Sequence, residues 1–418
     1  MKLELIDNFI DKKSAKISFI GDIMCELPLL KASCTKGKYQ FDRVFAETID
    51  LFSSADYVVG NLETVFAGEK AKYTKSLYSF NTPDAFLDSL KKSGIGMCIT
   101  SNNHCLDRGI EGLKRTLYEL DKREIQHIGT YLSREARNQI FIKNINGLRI
   151  AFIAYTYGTG IKDNHEKLSE GLEYSVNLLI PQGIGSPIKY SEKTDNLLTV
   201  KRFISGLLPE KRKLQMKKIL GKTVGVPRVD SIWDDLIDKN LLRTLKCDIE
   251  EAKKQADFVI MNIHNGGQFN PIPGDFSEYI MKFCVNAGVD LVVGHHPHVV
   301  QKADFINHVL CAFSLGNYSI SPSTPYMLFE DLPHYSVALH LYLNASNDIS
   351  VMYSFSILKI IEDRKGSLTV YDTYDIFQKL GGSDRDQLLK DIKKIYHRFT
   401  QKDINNFNVQ KEYSLCEE

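Results

Sequence analysis

Three imidazoles fall within Gly294-His295-His296-Pro297-His298, directly behind the apolar run Leu291-Val292-Val293. Imidazole is the commonest protein metal ligand, and several on one short loop suit a transition-metal ion. Four further stretches carry complementary donors: Gly21-Asp22, Gly60-Asn61-Leu62-Glu63, Asn102-Asn103-His104 followed by Asp107, and His264-Asn265-Gly266-Gly267. Carboxylates, carboxamides and imidazoles together make the ligand set of a metal-assisted hydrolase. His104 with Asp107 adds an imidazole–carboxylate pair of the kind that moves protons. Taken singly, each stretch also reads as a turn, because Gly, Asn and Asp favour turns. Together they are hard to explain as turns alone.

Each donor group follows an apolar segment. Residues 16–20, 57–59, 97–100, 258–263 and 289–293 read as short buried strands. Helical patterns over 41–53, 83–92 and 110–122 alternate with the first three, the βαβ rhythm of a mainly parallel sheet. Ligands of such α/β sheets bind beyond the carboxyl ends of the strands. A helix running to Gln255 precedes the fourth strand. Further β segments are expected at 337–343, 350–357 and 368–374, then an amphipathic helix at 384–398 and a polar tail.

Read in order over residues 16–320, the motifs resemble the CapA family. They are Gly21-Asp22-Ile23-Met24, Gly60-Asn61-Leu62-Glu63, Asn102-Asn103-His104 with Asp107 and Gly109, and Tyr155-Thr156-Tyr157-Gly158. The series continues with His264-Asn265-Gly266, Gly294-His295-His296-Pro297-His298-Val299 and Ser314-Leu315-Gly316-Asn317-Tyr318. That family is named for capsule and poly-gamma-glutamate synthesis and belongs to the calcineurin-like metallophosphoesterase superfamily. The resemblance implies an α/β fold, a four-layer αββα sandwich with an inserted lid or subdomain.

The resemblance also implies roles. Asp22, Asn61, Glu63, Asn103, His264, His296 and His298 would be metal ligands, with His295 an extra neighbour. His104 would be the catalytic acid and Asp107 its orienting partner. Two positions depart from the superfamily pattern: Met24 replaces a histidine, and Asn61 replaces a bridging aspartate, with Glu63 the nearby carboxylate able to substitute. A thioether is a poor ligand for a hard divalent ion, and a neutral carboxamide bridges two cations badly. One firmly held ion (Mn, Zn or Fe) is therefore more defensible than two.

Residues 16–160 and 244–380 are expected to form the two parts of the core, with 381–418 a C-terminal helix and tail. Residues 161–243 interrupt the rhythm. They leave after the Tyr157-Gly158 motif and return before His264, so both ends should lie near the active face. A structureless loop of this length is unusual, which points to a lid or small helical subdomain. It holds the only tryptophan, Trp233, and the basic run Lys211-Arg212-Lys213-Leu214-Gln215-Met216-Lys217-Lys218. That run reads first as a solvated helix face, and otherwise as a contact for an anionic polymer or phosphate.

The 53 Lys and Arg balance 52 Asp and Glu, so the chain of 418 residues has no overall nucleic-acid or membrane signature. Its eight cysteines show no paired spacing and read as small core residues of a reducing compartment. Residues 1–18 lack a long apolar core, so neither a signal peptide nor a transmembrane segment is expected, and a cytoplasmic location is. His127, His308, His334, His340 and His397 stand alone and read as surface or packing residues.

Two functions of different class follow. The first is a metal-dependent hydrolase of a phosphoester, or of an amide or ester bond in a surface polymer. The second is a non-hydrolytic accessory subunit that binds polymer or a synthase through a degenerate metal site. An anionic polymer or phosphoester substrate and polymer-synthesis proteins are the expected partners.

Overall fold

The computed structural model describes residues 14–183, 187–190, 227–233, 236–344, 349–403 and 407–417. Two sheets pack face to face, and strand periodicity shows why. In β1 (Ala15–Ile23), β2 (Tyr57–Leu62) and β3 (Met97–Ile99), the residues Ile17, Phe19, Tyr57, Val59, Met97 and Ile99 enter the core between the sheets. Ile20, Val58 and Cys98 point the other way, into a second core under helices. The second sheet repeats this: in β4 (Leu148–Thr156), Ile150, Phe152 and Ala154 face inward while Ala151, Ile153 and Tyr155 face outward. Strands apolar on both faces are what a sheet covered on both sides requires.

Helices α1 (Ala85–Lys92) and α2 (Gly109–Asp121) close the first sheet through Leu87, Leu90, Leu113 and Leu117. Helices α3 (Lys239–Gln255) and α4 (Asp275–Ala287) close the second through Leu245, Ile249, Phe276 and Ile280. Asp238 caps α3 by accepting from the N–H groups of Asn240 and Leu241, satisfying donors a helix start leaves open. The result is the αββα sandwich expected from the resemblance.

Register gathers the polar strand ends. In the first sheet β2 lies between β1 and β3, all parallel, and Asp22 pairs with Asn61. On the other side of Asp22 is Asn317, at the start of β7 (Asn317–Ser319). In the second sheet β5 (Phe258–His264) lies between β4 and β6 (Leu291–His295), again parallel, and His264 pairs with His295 and with Thr156.

Three elements differ from the sequence expectations. The first strand does not stop at Gly21 but continues to Ile23. Gly21 is there for proximity rather than for turning, since a Cβ on it would lie 1.9 Å from Gly316 O. The helical pattern over 41–53 forms three short pieces, Asp42–Phe45, a 3-10 turn at Ala46–Thr48, and Ile49–Phe52. The polar tail is partly ordered: Tyr413–Leu415 pairs with Ser350–Glu362, and Tyr413 and Leu415 join the core between the sheets. The basic run at 211–218 lies outside the described residues. All eight cysteines are free thiols, five of them buried. No helix among the described residues is long and apolar enough to cross a membrane.

Candidate metal centre

Glu63, one residue past β2, is fully buried where the two sheets' strand ends meet. Its Oε1 lies 3.6 Å from His264 Nε2, 3.7 Å from His298 Nε2, 3.8 Å from His296 Nδ1 and 3.9 Å from His104 Nε2. None of these is a hydrogen bond. Donor atoms sharing one ion at about 2.1 Å sit roughly 3.0–3.4 Å apart, not far from this spacing. Two overlapping groups could hold an ion, Glu63–His296–His298 and Asp22–Glu63–His264, each with ligand atoms within 4.8 Å of one another. Glu63 is the member they share.

The donor set fits a cation on a second ground. Both carboxylate oxygens of Glu63 and both ring nitrogens of His295 and His296 are buried without a hydrogen-bond partner. Buried polar atoms are nearly always satisfied, so the four on Glu63 and His296, both members of a candidate ligand group, are consistent with a bound cation. Burial, reinforced by the Asp22 charge, pushes the Glu63 carboxyl well above its usual range. Burial and the neighbouring imidazoles push His264 and His296 well below theirs, and burial takes His295 down to about 4. The cluster thus resists carrying charge by itself, which a divalent ion reverses for the carboxylate.

Asp22, at 0 % exposure, sits at the other side of the cluster, with His298 Nδ1 3.3 Å from its Oδ2. Asn61 Nδ2 lies 2.7 Å from Asp22 Oδ1 and 3.2 Å from His264 Nδ1. Its NH2 group therefore faces the cluster and steadies two neighbours. Asn103 Oδ1 lies 2.7 Å from His264 Nε2. Met24 contributes nothing to the centre: its side chain belongs to the core under the helices, and its N–H donates to Ser319 O at 2.9 Å.

His104 and Asp107 form a separate pair, Nδ1 to Oδ2 at 2.8 Å. The Asp107 carboxylate also accepts from Phe80 N–H at 2.6 Å and from Asn164 Nδ2 at 3.3 Å. An acceptor-only carboxylate fixes the proton on Nδ1 and turns Nε2 toward Glu63. The Phe80 ring, 4.5 Å from the imidazole centroid, holds its plane.

His296 and His298 have φ of +97° and +57°, a region that side-chain-bearing residues seldom occupy. The bend through Pro297 brings His296 Nδ1 and His298 Nε2 to 3.8 and 3.7 Å from the same Glu63 oxygen. Such strain persists where surrounding structure over-determines it, often at functional sites. Sequence reasoning missed some supporting residues. Tyr157 places its ring 5.0 Å from His296, and Phe269 lies 5.6 Å from His298. Nothing in the motif pattern marked Phe269; Tyr157 stood inside a quoted motif without a role.

Imidazole and carboxylate donors are thus gathered on the strand ends of an αββα sandwich, where two groups of them could hold a metal ion. The chain belongs to the family of the bacterial capsule synthesis protein PGA_cap, whose model matches residues 16–322. It is 25% identical over 303 residues to the PGA biosynthesis protein CapA of Bacillus subtilis (strain 168), covering 72% of this chain and 62% of that one. It is 22% identical over 311 residues to the capsule biosynthesis protein CapA of Bacillus anthracis, covering 74% and 60%. The match thus spans under two thirds of either relative's length. Among solved structures, a putative 5'-nucleotidase from Staphylococcus aureus aligns with a TM-score of 0.44 and 11% identity, covering 91% of this chain and 58% of that one.

Proposed function

We propose that the chain is a metal-dependent hydrolase that cleaves a phosphoester, or an amide or ester bond, in an anionic substrate of capsule-type polymer synthesis. The observation that carries this reading is the Glu63 carboxylate, ringed by four imidazole nitrogens and hydrogen-bonded to none. One ion is the count favoured, held by Asp22, Glu63, His264, His296 and His298, with Asn103 beside them. Asn61 turns its NH2 group to Asp22 and His264, which leaves Glu63 as the substituting carboxylate. A mixed carboxylate–imidazole set suits Mn, Zn or Fe.

When bound, such an ion supplies Lewis acidity toward a phosphoryl or acyl oxygen and makes water nucleophilic near neutral pH. The remaining work belongs to the chain. His104 Nε2 gives its proton to the departing oxygen or nitrogen as the scissile bond breaks, and Asp107 stabilises the charged ring before transfer. Burial of His104 and Asp107, at 6 % exposure each, limits competition from bulk water. Of the stretch 161–243 expected as a lid or subdomain, residues 184–186, 191–226 and 234–235 lie outside the described residues, and the support for a lid is confined to its described start. Asn164 from that stretch reaches Asp107, and Thr159 and Gly160 lead into it from the strand end.

The accessory-subunit reading keeps one specific support. Met24 is a core residue and Asn61 a hydrogen-bond donor, so two superfamily ligand positions are lost. One experiment separates the readings: metal analysis of the purified protein with a phosphatase and amidase panel. His264→Ala and His298→Ala should each lose most of the ion and all turnover. Full stoichiometric metal in the double variant would reject the centre, and metal without any turnover would favour the accessory role.

A further inference from the structure

A cavity of about 390 Å3 opens beside the proposed metal centre. Tyr157 is part of its lining, and the same ring lies 5.0 Å from that of His296 and 6.3 Å from that of His264. The wall continues through Gly158, Thr159 and Gly160, which rest against two further members of the centre. Gly160, at φ +68°, passes so close to Asn103 that a Cβ on it would lie 2.2 Å from the Asn103 carbonyl oxygen. Asn164 ties the same turn to the proton-moving pair, since its Nδ2 donates to Thr159 O at 2.6 Å and to Asp107 Oδ1 at 3.3 Å. Candidate ligands thus back one part of the cavity, and the partner of His104 anchors another.

The lining is mostly apolar: Tyr157, Ile161, Ile180, Pro181 and Ile188 supply carbon surface. Its polar side chains are largely taken. Gln182 Nε2 donates to Thr159 Oγ1 at 2.7 Å, and Gln182 Oε1 accepts from Leu168 N–H at 3.0 Å. Asp163 is exposed, so solvent screens its charge, and Arg228 is already engaged. Gly158 keeps the space open, because a Cβ there meets nothing within 4 Å. An apolar group entering this space gains by leaving water. A charged group would instead exchange water for side chains that are bonded to one another, at a cost.

Small-molecule sites of this size are mainly apolar, with a few fixed polar groups that orient the ligand. We propose that the cavity receives an uncharged, mainly apolar group of the substrate, on a molecule whose anionic or carbonyl end meets the ion. The word substrate rests on the hydrolase reading; the cavity's choice of an apolar group does not.

Two measurements test this, one without the ion and one with it. In metal-free protein, 4-fluorobenzyl alcohol followed by fluorine NMR should show line broadening that Gly158→Leu removes, since the new side chain fills the cavity. In metal-loaded protein, titration calorimetry compares benzohydroxamate with acetohydroxamate, which carry the same chelating group. The wild type should favour the ring-bearing probe by roughly 10-fold, from the extra apolar surface buried. Gly158→Leu should bring that ratio close to one. Ile161→Ala, which only thins the wall, should reduce it by roughly 3-fold. Melting temperature and metal content establish that each variant is folded. No broadening in the wild type, or broadening that survives Gly158→Leu, would overturn the pocket. Broadening with equal affinity for the two hydroxamates would overturn its connection to the centre. A chain that takes up no ion would remove the centre, while the metal-free measurement still decides the pocket. Both results as expected without turnover in the activity panel would keep the pocket and remove the hydrolase reading.

Discussion

Asn317 Oδ1 lies 2.9 Å from His298 Nδ1, and the Asn317 NH2 group is already committed to the carbonyls of His298, at 2.8 Å, and Pro333, at 2.9 Å. The amide cannot turn over without losing both bonds, so its oxygen must face the ring. An acceptor there puts the proton on Nδ1 and leaves Nε2 bare toward Glu63. In the proposed centre Asn317 would thus act as a positioning residue, setting the tautomer His298 would need to hold an ion.

Asn317→Ala should lower ion affinity about 10- to 100-fold, the usual cost of removing such support. It should also destabilise the protein by roughly 1–3 kcal/mol, since two buried carbonyls lose their donor. Chelator competition reads the first effect and thermal melting the second. A melt that drops while affinity stays put would make Asn317 purely structural.

His104 lies at the edge of the cluster, its Nδ1 engaged by Asp107 and its Nε2 3.9 Å from Glu63 Oε1. If it moves a proton rather than holding the ion, His104→Asn keeps metal content and lowers turnover by roughly 100-fold or more. Asp107→Asn should lose less, because the ring remains. Single-turnover rates with matched metal analysis check both variants. Equal turnover in His104→Asn and wild type would move the acid elsewhere.

The strands behind the centre were legible because each apolar run ends abruptly in donors, and that abruptness survives folding. Orientation within the centre was not. Asn61 occupies a ligand position in the resemblance, yet which end of its amide faces Asp22 depends on a neighbour in another strand. Asn317 stands inside one of the quoted motifs, but its partners at His298 and Pro333 come from separate parts of the chain. Gly21 read as a turn former, whereas its need comes from Gly316 O, just ahead of β7 and far along the chain.

His340 offers a pH test away from the centre. It is fully buried, with Nδ1 2.8 Å from Ser18 Oγ and Nε2 3.2 Å from Ser356 Oγ. Burial pushes it down to about 3; the Glu412 carboxylate opposes this and the Lys16 ammonium adds to it. The unfolded chain, titrating near 6.5, therefore binds the proton first. His340 stabilises the fold fully above that value, and the contribution drains away as pH falls from about 6.5 toward 3. The slope is at most about 1.4 kcal/mol per pH unit. His340→Gln, which keeps partners for both serines, should flatten that part of the urea-stability profile. Identical profiles between pH 6.5 and 4.5 would mean that the ring is not held neutral.

Asn61 is the position where the sequence departs most from a two-ion centre, and restoring the carboxylate tests why. In the structure its NH2 group donates to Asp22 Oδ1 at 2.7 Å, close enough that a second carboxylate there would face the first with no proton between them. Without metal, Asn61→Asp must therefore either capture a proton or repel Asp22, and His264 Nδ1 loses its donor as well. The metal-free variant should melt earlier, by a loss on the order of 1–3 kcal/mol. With metal the sign reverses: a charged bridge can sit between two cations, so bound ion should rise from one toward two per chain. Elemental analysis and paired melts with and without Mn, Zn or Fe measure both halves. An unchanged metal-free melt would show that Asn61 donates no bond that matters. A count that stays at one despite the added carboxylate would place the block at the Met24 position, where the superfamily's histidine is missing and the side chain is locked into the helix-side core.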